Sequence, residues 1–291
     1  MEQAEIGIIG GSGFYEISGL ENPHHLKLKT PFGQPSEKIL IGQLDGRSVA
    51  FLSRHGIGHR YNPSEVNYRA NLYALKLLGV QHLISVSAVG SFKEEFKPTD
   101  LVIPDQYIDR TFQRRKTFFE DGIVAHVSMA DPACPTLSQL ALRLATELKL
   151  NVHYRGIYCN MEGPQFSSRG ESHLYRQLGF SVIGMTQAVE AKLARELEMC
   201  FLPLAFVTDY DCWHEGTEAV TVEMVIRNLN QNAENAKKLI QELSREINPQ
   251  RDQCRCSSAL ANAIITAPVM IPTRTFRRLE IVIGKYIKER L

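Results

Sequence analysis

The sequence predicts an α/β fold: a mixed central sheet flanked by helices. Three observations predict it. Short apolar runs alternate with segments of helical periodicity along most of the 291 residues, the pattern of a sheet covered by helices. Residues 200–207 are apolar without alternation, as in a strand buried on both faces. Polar groups recur where strands end, and open α/β sheets bind ligands beyond the carboxyl ends of their strands. The length suits one large domain or two small ones with a sizeable core.

Taken in order, Ile6-Gly7-Ile8-Ile9 is a short strand running into Gly10-Gly11-Ser12-Gly13. Glycines let backbone approach an anion and the serine adds a donor, although a plain turn has the same composition. The spacing matches neither a dinucleotide fingerprint nor a P-loop. Residues 38–44 and 48–53 read as a hairpin about Asp45-Gly46, and the return strand delivers Arg54-His55-Gly56. A guanidinium there suits an oxyanion; the alternative is a surface Arg beside an incidental His. A helix is expected from Pro63 to about Leu78, stopped by Gly79. Residues 82–91 form a strand ending in small polar residues, and residues 101–105 form another. Residues 109–122, with Arg114-Arg115-Lys116, read as a polar loop. A helix over 137–149 is followed by one strand over 154–159, then Glu162-Gly163-Pro164-Gln165-Phe166-Ser167-Ser168. A helix over 171–177, a short strand over 181–186, a helix over 189–197, the buried strand and a long helix over 221–245 complete the series.

The buried strand ends in Thr208-Asp209-Tyr210-Asp211-Cys212-Trp213. If it stays extended, Asp209 and Asp211 point to one face, where two acceptors can grip a purine edge. A solvated turn is the alternative. Ser12, Arg54-His55, Ser87-Ala88 and Met185-Thr186 end four other strands, a donor set suited to phosphate.

Lys+Arg number 33 and Asp+Glu 32, so no basic field argues for nucleic acid. No apolar run is long enough to span a membrane, and the N-terminus lacks a secretory pattern. The expectation is a cytoplasmic protein with small-molecule partners. Of six cysteines, Cys134, Cys159, Cys200 and Cys212 are scattered and read as small buried hydrophobes. Cys254-Arg255-Cys256 is a close pair compatible with redox, metal-binding or inert roles, but two ligands are too few for a structural zinc.

Together, Gly10-Gly11-Ser12-Gly13, Thr30-Pro31-Phe32-Gly33, Arg54-His55-Gly56, Pro63-Ser64-Glu65-Val66-Asn67-Tyr68, Ser87-Ala88-Val89-Gly90-Ser91, residues 162–169, Met185-Thr186 and residues 208–213 resemble the nucleoside phosphorylase family. The resemblance is specifically to its branch acting on 5′-methylthioadenosine. The resemblance spans about residues 5–245. It implies a partly barrel-like mixed sheet and a homotrimer or dimer of trimers. It implies phosphate contacts at Ser12, Arg54, His55, Ser87 and Thr186, and ribose contacts at Ala88 and Met185. Phe166 would stack on the purine. Asp209 and Asp211 would be the catalytic acids at N7 and the 6-amino group. His126 would reach the 5′ end of a neighbouring subunit's substrate. No metal or organic cofactor is implied, phosphate being a co-substrate. Asp209, Ser167 and an apolar Val222, with Val225 one turn-spacing on, match the 6-amino, methylthio branch. Two positions depart from it: Gly184 replaces its usual Asn, and Val189 replaces a Pro. The rival enzyme is a purine nucleoside or 5′-methylthioinosine phosphorylase, motivated by Gly184, since Gly is the choice of the purine nucleoside phosphorylases at that position. A purine-nucleoside sensor without turnover is the non-enzymatic rival, and the intact donor set and both acids argue against it.

The division expected is a phosphorylase domain over 1–250 and an extension over 251–291. The extension carries eight basic and three acidic residues. Phe276, Leu279, Ile283, Tyr286 and Ile287 follow helical spacing. Such a stripe is expected to be buried, on its own core or another subunit, and the subunit contact is the specific expectation.

Overall fold

The computed structural model describes residues 2–14, 17, 19–214, 222–251 and 254–287, without the side chains of 222–225. The predicted mixed α/β architecture is what forms: eleven strands in one sheet, and six helices among the described residues. The strands are β1 (Ile6–Gly10), β2 (Glu21–Leu26), β3 (Ile39–Leu44), β4 (Arg47–Ser53), β5 (His82–Ser91), β6 (Leu101–Ile103), β7 (Gln106–Asp109), β8 (Val152–Tyr154), β9 (Ile157–Asn160), β10 (Val182–Gly184) and β11 (Cys200–Asp209). The helices are α1 (Tyr68–Leu77), α2 (Pro135–Glu147), α3 (Arg169–Gln177), α4 (Gln187–Glu196), α5 (Val222–Glu246) and α6 (Thr273–Ile283).

The register of β5 positions the site. Along one edge, β11 pairs with it in parallel from Cys200↔His82 to Asp209↔Gly90. A strand has only two edges, so β1 and β10 must share the other. There β1 pairs in parallel as far as Ile9↔Ser85, and β10 pairs antiparallel at Ile183↔Gly90 and Val182↔Ser91. Residues 86–89 are thus left unpaired by both. The chain leaves β1 at Gly10-Gly11 and leaves β10 at Gly184, opening a crevice over the middle of β5. Strand partners diverging from a shared neighbour form the type of crevice where α/β sheets bind ligands.

Three expectations are corrected. The helix foreseen from Pro63 starts at Tyr68, capped by the Asn67 side chain accepting from the Ala70 amide. Upstream, the Asn62 carboxamide accepts from the Ser64 and Glu65 amides and holds residues 62–65 as a separate turn. The single strand over 154–159 is two strands, because Arg155 (φ 72°) and Gly156 (φ 148°) break the extended backbone. β8 then pairs with β6, and β9 with β7 and β10. β7 itself falls in a stretch too polar to be recognised as a strand. Finally, Asp211 does not extend β11. It has φ 53° and opens a short 3-10 turn, Asp211–Trp213.

The cores follow from periodicity. α5 buries Ala236, Leu239, Ile240 and Leu243 at i, i+3, i+4, i+7. Its polar face pins the end of β11: Asn232 Nδ2 donates to Val207 O at 2.9 Å and Asn228 Nδ2 to Thr208 O at 2.7 Å. The tail's stripe is buried within its own chain. Phe276, Leu279, Ile283 and Ile287 join one cluster with Tyr73, Phe118 and Leu193. The Tyr73 hydroxyl donates to Arg278 O at 2.7 Å, and Arg278 pairs with Asp121 at 2.7 Å. The Tyr286 hydroxyl donates to Glu198 at 2.5 Å. Among the described residues no helix is long and apolar enough to cross a membrane.

Candidate functional site

The crevice holds a cavity of about 470 Å³. Ser12, Arg54, His55, Ser87, Ala88, Phe166, Ser167, Met185, Thr186, Asp209 and Asp211 all line it. Eleven residues chosen from distant strand ends and loops therefore meet in one place. Val222 and Val225 lie outside the described side chains. His126 does not border the cavity. It is exposed, on a segment whose backbone donates to Ala263 O.

At one side stands an anion cradle. Gly11 is required there, since a Cβ would meet Arg54 Nη1 at 2.6 Å. Arg54, only 1 % exposed, is committed largely to a carboxylate the sequence did not reveal. Its Nε donates to Glu190 Oε1 at 2.5 Å and its Nη2 to Glu190 Oε2 at 3.0 Å. Nη2 also donates to Ser85 Oγ, and Nη1 to Val86 O, both at 3.0 Å. A guanidinium has five N–H donors. These four bonds leave one on Nη1, so Arg54 brings a fixed positive charge and a single donor rather than a free fork. Burial disfavours its charge, but the Glu190 carboxylate outweighs that and raises its pKa.

His55 Nδ1 stands 2.9 Å from Tyr61 O. A carbonyl can only accept, so the proton belongs on Nδ1 and Nε2 keeps a lone pair. Burial, then the Arg54 and His59 charges, push its pKa down to about 3. His55 is neutral, and Nε2 is matched to a phosphate hydroxyl rather than a bare anionic oxygen. Thr186 sits at the N-terminus of α4 and makes no capping bond with its side chain, where the helix dipole favours an anion. The buried Asn160 carboxamide, missed in the sequence, accepts from the Ala188 amide at 3.0 Å and fixes that end of α4.

Across the cavity, Asp209 Oδ2 accepts from Thr208 Oγ1 at 2.7 Å, and Oδ1 from the Asp211 amide at 2.8 Å. This Asx-type turn is what brings Asp211 to the cavity once the strand has ended. Burial raises the pKa of Asp209 to about 6 against the pull of those two donors. Asp211 is also raised, chiefly by burial. Phe166, 54 % exposed at the mouth, offers an apolar ring face. Gly163, at φ 68°, lies against Met185, where a Cβ would come within 2.5 Å of Sδ.

The expected surface loop contributes a buried anchor. Arg114 Nε reaches Glu162 Oε1 at 3.2 Å, Nη1 donates to the Met185 carbonyl, and Nη2 to the Glu162 carbonyl. Ser64 Oγ donates to Glu162 at 2.5 Å. These bonds tie residues 62–65 and 161–168 around the opening. Only the pairing partners, far away in sequence, separate Arg114 from an ordinary solvated Arg.

Gly184 now has a physical reason. A Cβ there would stand 1.9 Å from the Tyr158 hydroxyl and 2.6 Å from its Cζ. Tyr158 is fully buried and interacts with Ser87, though without a hydrogen bond of standard geometry. The tyrosine occupies the space an Asn side chain would need. Gly184→Asn is expected to cost about 1–3 kcal/mol by overpacking. Adding Tyr158→Val should recover most of that loss, read from denaturant midpoints at constant m.

The chain matches the phosphorylase superfamily over residues 5–245. It is 51 % identical over 287 residues to S-methyl-5′-thioadenosine phosphorylase of Koribacter versatilis, covering 99 % of this chain and 98 % of that one. A methylthioadenosine phosphorylase from an Antarctic soil metagenomic library superposes with a TM-score of 0.92 at 48 % identity, covering 97 % of this chain and 99 % of that one. The Schistosoma mansoni methylthioadenosine phosphorylase in complex with adenine gives 0.80 at 33 % identity, over 84 % and 91 % of the two chains.

Proposed function

The chain belongs to the phosphorylase superfamily, and from that premise we propose how its site performs phosphorolysis of 5′-methylthioadenosine. The products are adenine and 5-methylthioribose 1-phosphate. The observation that carries the reading is the pairing of an anion cradle with a buried carboxyl group that keeps its proton up to about pH 6 across one cavity.

Phosphate is held by Ser12, Ser87, Thr186 and the remaining Arg54 donor, with His55 accepting from its hydroxyl. Met185 and Ala88 border the ribose, and Phe166 covers the purine. As the C1′–N9 bond breaks, its electron pair moves into the purine. Asp209 supplies the proton that neutralises the charge at N7, and Asp211 accepts from the 6-amino group. A phosphate oxygen then bonds to C1′ from the opposite face, already positioned for attack. Nucleophile and leaving group both come from the substrates, so the step needs no cofactor. His126 completes a neighbouring subunit's site in a homotrimer, which would account for its distance from its own cavity. A cytoplasmic setting fits this metabolic role.

The test is product release. Adenine should appear from 5′-methylthioadenosine only when phosphate is present, and faster than hypoxanthine from 5′-methylthioinosine. Equal or reversed preference would assign the 6-oxo branch. Binding without release would make the protein a sensor.

A further inference from the structure

At the other end of β11 lies a second constellation. The Sγ atoms of Cys134, Cys200, Cys254 and Cys256 all lie within 4.8 Å of one another. They come from three separate segments. Cys134 is the N-cap of α2, its amide donating to Phe201 O at 2.8 Å. Cys200 opens β11, and Cys254 and Cys256 follow α5. Three of the four are buried. Cys254-Arg255-Cys256 alone offered too few ligands; the fold supplies the other two from residues that read as inert.

We propose that Cys134, Cys200, Cys254 and Cys256 form a tetrathiolate zinc site that ties the segment after α5 to the sheet. Zinc with four thiolates is tetrahedral, with Zn–S about 2.3 Å, which sets the sulfurs about 3.8 Å apart. No pair of sulfurs needs to move by more than about 1 Å to reach that geometry. Mutual closeness of all four sulfurs is what a central ion requires. Two disulfides would require closeness only within each pair, and the contacts show no such division. Cys200 and Cys254 stand 3.4 Å apart, and every other pair among the four sulfurs lies within 4.8 Å.

The surroundings suit a dianionic complex. Arg195 Nη1 donates to Cys256 Sγ at 3.7 Å. The start of α2 adds its dipole at Cys134. A cavity of about 430 Å³, bordered by Cys134, Cys200, Cys254, His82 and Arg251, gives an ion a route in. Binding releases the thiol protons to solvent, and no oxidation state changes. Cys200 and Asp209 are nine residues apart on one strand, or about 30 Å, so this role is structural and distinct from phosphorolysis.

The test uses the full chain, purified reduced, exposed to excess zinc and then freed of loosely held metal. Elemental analysis should find about one zinc per chain. Loaded with Co²⁺ instead, the unaltered protein should show the absorption of a tetrahedral thiolate complex, a readout that needs no variant to fold. Cys254→Ser and Cys256→Ser should each weaken zinc retention roughly tenfold or more, the scale of losing even an outer partner of a metal ligand. Their phosphorolysis at room temperature should stay unchanged. Cys159→Ala should retain zinc fully. Four reactive thiols with no retained zinc would overturn the proposal. So would Cys–Cys cross-links that form in place of metal binding, or iron as the metal retained.

Discussion

Asp209→Asn is expected to slow phosphorolysis of 5′-methylthioadenosine by about 10²–10⁴, the effect of removing one positioned proton donor. Volume and the Thr208 contact are nearly preserved, so the loss should appear in kcat more than in KM. Burial is the main cause of the raised pKa, about 6. The acid form is therefore present below about pH 6 and lost above it in the free enzyme. The unaltered protein should show a limb in kcat/KM centred near that value, and the variant should lack it. The sign for stability is the same. A folded-state pKa raised from 3.8 to about 6 stabilises the fold at low pH, and that contribution disappears as pH rises from about 4 through about 6, on the order of 3 kcal/mol. Unfolding of both proteins across that range checks it. Near-normal turnover with an unchanged pH profile would remove Asp209 from the role of acid.

Glu190→Gln is expected to destabilise the fold by about 3–5 kcal/mol, because it leaves the Arg54 charge buried without its counter-charge. Both side chains are only 1 % exposed, so water cannot compensate. The uncoupled guanidinium should also raise the phosphate requirement more than the nucleoside requirement. Replacing both members, Glu190→Gln with Arg54→Met, should recover stability but not phosphate binding, since a buried pair exchanged for uncharged groups is often near neutral. Denaturant midpoints and phosphate saturation curves for the single and double variants are the measurements. If the double variant were as unstable as the single one, charge burial would not be the cause.

Much of the site was legible because each strand announces its own end. β5 was anticipated from His82 to Ser91, and β11 reads as buried because no position alternates with polar residues. Where an element had a local competitor, the reading slipped. Asn62 and Asn67 divided an expected helix start into a turn and a cap, and Arg155-Gly156 divided one strand into two. The tail's stripe was recognisable from its spacing, but spacing names a buried face and not the surface that covers it.

The sequence by itself determined the α/β order, the strands whose ends border the cavity and the two carboxylates that line it. Short-range periodicity and strand ends are local properties, and a run of residues carries them whole. Only the tertiary structure decided what those groups are bound to. Glu190 lies 136 residues from Arg54, and Glu162 lies 48 from Arg114, separations with no periodic signature. The crevice itself arises because β1 and β10 stop short of each other along β5. The Tyr158 hydroxyl excludes a side chain at Gly184, and Cys134 and Cys200 meet Cys254 and Cys256. Each of these depends on close packing between distant segments, where a few ångströms set burial, protonation and pairing together.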